Sequence, residues 1–258
     1  MDEFVARNST TSATSAVKRR ASRKSEKAEK TFRSRAAAGS GAGYLLPLFS
    51  ELARLAEMSV VERRLRSFGF CAIAGTDEVG RGCLAGPVVA GSVILSEDSL
   101  PGLNDSKKLT HGERRRLCRL IARRARAIAV GVVEPHIIDR INILNASKLA
   151  MKQSVENLEV RPDVLVLDAV QLESLEMPQL ALISGDSRSV SVAAASIVAK
   201  FYRDLLMESY HDLYPRYDFY NNRGYGTESH WRALREYGPC PIHRSSFEGV
   251  TVDPVLFG

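Results

Sequence analysis

The chain has 258 residues, 45% of them hydrophobic and 26% charged, the balance of an ordinary globular protein. That length suits one large domain or two small ones, and no run of about 18 apolar residues offers a membrane span. The net charge of +6 sits in residues 1–45, with ten Lys/Arg against four Asp/Glu, while the rest is balanced at 26 against 26, so overall charge is weak ground for nucleic-acid binding.

Residues 1–43 are rich in Ser, Ala, Lys, Arg and Gly and hold few large apolar groups. Such a stretch cannot offset its own chain entropy and is expected to be a disordered basic tail. It has no apolar core segment for a secretory signal, and its four acids argue against a transit peptide. Gly39-Ser40-Gly41-Ala42-Gly43 reads as a flexible junction to a folded domain over 44–258, with its core at about 70–212 and a C-terminal helical part at about 213–258.

Leu48, Leu52, Leu55 and Met58, then Val61 and Leu65, recur at helical spacing and predict one helix over about 47–66. Strands are expected at 70–76, 87–95, 127–134, 164–168 and 181–184, the last two short and nearly continuously apolar. Helices are expected over 110–126, 142–159, 189–212 and 227–237, the last started by Thr227 with Glu228 in its first turn. The order predicts an α/β protein with a mixed five-stranded sheet flanked by helices. Cys71, Cys83, Cys118 and Cys240 form no C-x-x-C pair, which argues for reduced thiols in a cytoplasmic protein rather than a zinc or disulfide framework.

Four acids stand at informative places. Asp77 and Glu78 run into Gly80-Arg81-Gly82, Asp168 ends the apolar run VLVL, and Asp186 follows Gly185 just after ALIS. Ligands of open α/β sheets bind at strand ends, where these acids can converge. One such acid reads as a strand-end or capping residue; several together repel, and divalent cations relieve the repulsion. Oxygen ligands without His or Cys suit Mg2+ or Mn2+. Neighbouring strand residues point to opposite faces, so Asp77 and Glu78 are not expected to serve one site equally.

The G-x-G turn lets a backbone approach a ligand closely, its amides can meet a ribose 2′-hydroxyl, and Arg81 can grip a phosphate. Ser106, Lys107 and Lys108, beside the arginine-rich helix 110–126, suit a phosphate track, the helix arginines themselves reading as a solvated face. Tyr225, set between Gly224 and Gly226, is expected to lie exposed against a sugar or base.

The stretches AGTDEVGRGCLAGPVVAGSVIL, LNDSKKL, NILNASKLAM, VLVLDAV, GDSRSVSVAAASIVAKFYRD and YGTESHWRALREYGPCPIHRSSF, in order from about residue 58 to 248, resemble the bacterial ribonuclease HII family. The resemblance implies a ribonuclease H-like fold with a C-terminal helical extension. It implies that Asp77, Glu78, Asp168 and Asp186 are catalytic metal-binding acids, taking two Mn2+ or Mg2+ ions. It implies that Gly80, Arg81 and Gly82 contact the ribonucleotide and that Tyr225 packs on the sugar of the adjoining deoxynucleotide. The related ribonuclease HIII usually lacks the G-R-G block. The chain departs from the family pattern at Ala169, Ser184 and Asn222, where members often carry Gly, Lys and His.

The expected activity is two-metal hydrolysis of the RNA strand of RNA–DNA hybrids, with incision 5′ of ribonucleotides embedded in DNA, leaving 3′-hydroxyl and 5′-phosphate ends. The expected partners are these nucleic acids, with no membrane and a monomeric enzyme; for a sliding clamp the sequence offers only Leu256-Phe257. The rival readings are a noncatalytic hybrid-binding module and a DNA-directed nuclease, recombinase or transposase on the same sheet.

Overall fold

The structure, a computed structural model, describes residues 42–96, 100–103 and 109–251. Ser106, Lys107, Lys108 and Leu256-Phe257 lie outside the described residues, as does most of the basic tail. The chain divides into two compact units, residues 1–53 and 54–258.

The first helix, α1 (Ala42–Met58), is followed by α2 (Val60–Ser67). The single helix expected over 47–66 is therefore two, broken at Ser59, whose hydroxyl turns back to donate to the Leu55 carbonyl at 2.6 Å. Such back-bonding competes with the regular helical ladder and bends the chain. Leu55 and Met58 are buried in the core of the second unit.

A five-stranded sheet forms the centre of that unit, in the order β3-β2-β1-β4-β5. Its strands are β1 (Ile73–Val79), β2 (Val88–Leu95), β3 (Ala125–Val133), β4 (Val164–Asp168) and β5 (Gln179–Leu182). β1, β2 and β3 form an antiparallel meander, while β4 lies parallel to β1 and β5 parallel to β4. The mixed sheet thus matches expectation. β1 begins three residues later than expected and runs on through Asp77 and Glu78, which lie within the strand rather than beyond it.

Helices cover both faces. On one side α4 (Pro135–Glu156) packs Ile138, Ala150 and Met151 against Ala74, Ala90 and Leu165. Its sequence predicted a start at 142; Pro135 supplies an earlier one, and Asn142 marks an internal kink with φ 66°. The Asn142 side chain re-caps the chain there, accepting from the Asn145 amide at 3.1 Å. On the other side lie α3 (His111–Arg124), opened by a Thr110–Glu113 capping box, and α6 (Val190–Leu213), which follows the one-turn α5 (Gly185–Arg188). α6 comes so close to the sheet that a Cβ on Gly75 would stand 2.0 Å from the Ser191 carbonyl carbon.

Beyond α6 the chain forms α7 (Phe219–Asn222) and α8 (Glu228–Tyr237). Tyr217, Phe219, Leu234, Ile242 and Val250 share a separate apolar cluster with Leu84, Ala85 and Met207. The C-terminal elements thereby pack directly on the loop that links β1 to β2. Among the described residues no helix is long and apolar enough to cross a membrane, and none of the four cysteines is in a disulfide.

Candidate active site

Strand alternation decides which acids meet. Ile73 and Gly75 face α6, so Asp77 does too, and its carboxylate is bonded to the Ser196 side chain on that helix. Val164 and Val166 of β4 face the same way, which brings Asp168 to that face one strand over. Thr76 pairs with Leu167 in the parallel register, so Asp77 and Asp168 leave the sheet side by side. The Asp168 carboxylate accepts from the Gly185 amide at 2.8 Å. That bond ties β4 to α5, which carries the buried Asp186.

Glu78 falls on the opposite side of β1, as alternation requires, and Arg81 holds it at 3.1 Å. It still feels the charge of Asp168. Burial, then the charges of Glu78, Asp168 and Asp186, push the Asp77 carboxyl up to about 8, against a partial offset from Ser196. Burial raises Glu78 as well, and Arg81 opposes it.

Among the described residues no three His, Cys, Asp or Glu side chains are already gathered as a closed metal cage. The four carboxyls nonetheless share one electrostatic neighbourhood on three chain segments. A buried cluster of anions whose central member resists ionisation is an environment that a hard divalent cation stabilises, and carboxylate oxygens are the ligands such an ion takes. The donor set fits magnesium or manganese.

The Gly80-Arg81-Gly82 turn is held by one buried arginine and packed against by a second, neither of which the sequence reading singled out. Arg244, fully buried, donates to the carbonyls of Gly80 at 2.7 Å, Arg81 at 2.9 Å and Gly86 at 2.8 Å. Arg203, also fully buried, donates to Pro87, Ala85 and Arg223 carbonyls at 2.9–3.1 Å. Gly80 has φ +93°, and a Cβ there would stand 2.2 Å from Arg203 Nε, so glycine is required on both counts. Gly82 has open space about it, and the Arg81 side chain is 47% exposed.

Arg203 also joins this turn to Tyr225, its guanidinium lying 5.9 Å from the ring centre, with Lys200 at 5.8 Å. The Tyr225 hydroxyl is bonded to Cys83, next to the G-R-G turn, and the ring remains 41% exposed. The Gly224 carbonyl accepts from the Leu84 amide at 2.8 Å, which knits the two loops together. Gly80, Arg81, Gly82 and Tyr225 are thus assembled beside the acids.

The departures from the family pattern stand at defined places in the fold. Ala169 and Ser184 both hold positive φ, 51° and 56°, at the turns after β4 and before α5. Asn222 is buried, donating to the Tyr217 carbonyl at 2.6 Å and accepting from the Gly224 amide at 2.8 Å. Of the seven arginines in 110–126, six are exposed as expected, but Arg114 is buried and bridges to Asp204, which also takes Lys200 at 2.6 Å. The arginines missed by the reading were legible only as parts of the stretches A-K-F-Y-R-D and H-R-S-S-F, since nothing in local pattern distinguishes a buried arginine from a solvated one.

Residues 74–250 match the family described as Ribonuclease HII. The chain is 53% identical over 205 residues to the Ribonuclease HII of Desulfitobacterium hafniense, covering 77% of this chain and 79% of that one. The crystal structure of ribonuclease H2 from Pyrococcus horikoshii OT3 superposes with a TM-score of 0.60 at 28% identity, covering 69% of this chain and 94% of that one. The RNase HII in the PCNA:RNase HII complex from Archaeoglobus fulgidus superposes with a TM-score of 0.56 at 28% identity, covering 64% and 88%. Sheet order, acid placement and these matches agree: the chain belongs to the Ribonuclease HII family, metal-dependent endoribonucleases that cleave RNA in RNA–DNA hybrids.

Proposed function

We propose that the chain, besides cutting the RNA strand of hybrids, incises duplex DNA on the 5′ side of an embedded ribonucleotide and leaves 3′-hydroxyl and 5′-phosphate ends. The observation that carries this is the buried carboxyl of Asp77, surrounded by Glu78, Asp168 and Asp186, beside a G-R-G turn with open space at Gly82. Asp77, Asp168, Glu78 and Asp186 would hold two Mg2+ or Mn2+ ions, the first two residues taking one and the last two the other. Bound there, such ions supply an acidic water and charge stabilisation at the scissile phosphate.

The remaining roles belong to the chain itself. The backbone of Gly80–Gly82 meets the ribose 2′-hydroxyl, the one group that separates RNA from DNA. Arg81 grips a flanking phosphate when it swings from Glu78. Tyr225 lays its exposed face on the sugar of the next deoxynucleotide, so that a ribonucleotide–deoxynucleotide junction is read as a unit. Ser106, Lys107 and Lys108 extend the phosphate track. The enzyme works as a monomer in the cytoplasm, and no clamp partner is needed for this chemistry.

The test is a labelled duplex carrying one ribonucleotide, incubated with Mg2+ and Mn2+ separately. A single incision 5′ of the ribonucleotide supports the reading. Binding without incision, or equal cutting of an all-DNA duplex, overturns it.

A further inference from the structure

Two histidines that take no part in the chemistry above meet beside the Tyr225 backbone, their ring centres 5.2 Å apart and their planes tilted by 48°. His230 is fully buried and His243 nearly so, inside a box made by Tyr217 and Phe219. Their Nε2 atoms stand 3.0 Å apart. A contact between two ring nitrogens carries one proton, so one imidazole donates and the other accepts.

The direction of that bond follows from its surroundings. The Cys240 amide, which can only donate, points at His243 Nδ1 at 2.9 Å. The Cys240 carbonyl lies farther from the same nitrogen, at 3.3 Å, and already accepts from the His243 amide at 2.9 Å, so the shorter amide contact decides: Nδ1 of His243 is the bare nitrogen, and its proton resides on Nε2. His230 must then accept at Nε2 and carry its proton on Nδ1. That Nδ1–H meets the carbonyl of Tyr225 at 2.9 Å. The same carbonyl also accepts from the Thr227 amide at 2.8 Å, so both of its lone pairs are occupied.

We propose that His230 and His243 form a neutral, one-directional imidazole relay that positions Tyr225, running from the Cys240 amide to the Tyr225 carbonyl. The proposal rests on the reading of Tyr225 as the residue that packs on the substrate sugar. His230 and His243 are positioning residues; neither touches the substrate. The relay complements the other restraints on Tyr225: the Asn222 carbonyl takes its amide, Cys83 its hydroxyl, and Lys200 and Arg203 stand over its ring. Burial holds both imidazoles below the usual histidine range, which keeps the pair neutral.

Two substitutions at one position separate positioning from simple stability. Asn places an N–H where His has Nδ1, whereas Gln reaches the place of Nε2. His230→Asn keeps the donor to Tyr225 and abandons the bond from His243; His230→Gln does the reverse. Cleavage of a duplex with one ribonucleotide is measured alongside the melting temperature. The Gln variant is expected to lose kcat on the order of 10- to 100-fold, while the less stable Asn variant keeps close to the parent rate. Rates that simply follow melting temperature overturn the proposal.

Imidazole 15N shifts of the free protein give an independent reading, expected to show Nδ1–H on His230 and Nε2–H on His243; the opposite tautomers overturn it. Tyr225→Ala serves as the control for the underlying assignment. If that variant cuts like the parent, the sugar-packing role of Tyr225 fails even where the tautomers are as stated. If it is impaired while His230→Gln is not, the relay fails and the role of Tyr225 stands.

Discussion

Arg244 donates to the Gly80 carbonyl at 2.7 Å across 164 residues of chain, so the far C-terminal segment fixes the turn that follows Asp77 and Glu78. The guanidinium fork also holds Arg81 and Gly86, a set of bonds that no other side chain can reproduce in one plane. Arg244→Met leaves those carbonyls buried without donors. A loss of about 2–4 kcal/mol of stability is expected from denaturant unfolding, with cleavage reduced further than the stability loss explains. Arg244→Lys, which keeps charge but not the fork, should recover only part of either; full recovery would contradict the positioning role.

Gly80→Ala probes the same turn from the other side. Its Cβ would collide with Arg203 and its φ of +93° is costly for any L-residue. Hybrid cleavage is expected to fall roughly 100-fold or more as the turn shifts. Gly82→Ala is the contrast, since it adds a methyl in open space; its folding stability is expected to stay within about 1 kcal/mol of the parent, measured by thermal melting.

The Asp77 carboxyl links stability to pH. Its folded value of about 8 lies above the ordinary 3.8, so the folded protein binds this proton more tightly than the unfolded chain. The stability associated with it is present in full below pH 3.8 and is lost as pH rises through 8. In EDTA the melting temperature is therefore expected to fall over this window for the parent and to slope less for Asp77→Asn. Adding Mg2+ or Mn2+ should raise the melting temperature more at pH 8 than at pH 5. An equal slope in the two proteins would contradict the crowded-carboxylate picture.

Ala169 holds φ 51° immediately after Asp168. Left-handed backbone costs an L-residue about 1–2 kcal/mol, of which the added freedom of an unfolded glycine returns roughly half. Ala169→Gly is expected to gain about 0.5 kcal/mol in denaturant unfolding. A loss of stability would show that the turn is not strained.

What the sequence made legible was local. VLVLD ends where β4 ends, and its short, nearly continuous apolar run reads as a buried strand, although the order of the strands in the sheet was not legible from it. The same alternation rule anticipated that Asp77 and Glu78 would part, and they do, Asp77 toward Ser196 and Glu78 toward Arg81. Ser59 and Asn142 were missed because each breaks a helix by a side-chain bond to backbone, an event that leaves the apolar period intact on both sides. Arg203 and Arg244 were missed for a different reason: their partners are carbonyls, which every residue has, so no spacing of side chains announces them.

Asp168→Asn tests the central claim most directly. The amide oxygen can still accept from Gly185, so the link from β4 to α5 survives and the fold should melt as the parent does. What is removed is one negative charge beside Asp77. With a duplex containing a single ribonucleotide, in either Mg2+ or Mn2+, the expected result is binding without detectable incision. Turnover near that of the parent would contradict the assignment of these carboxylates as the catalytic centre.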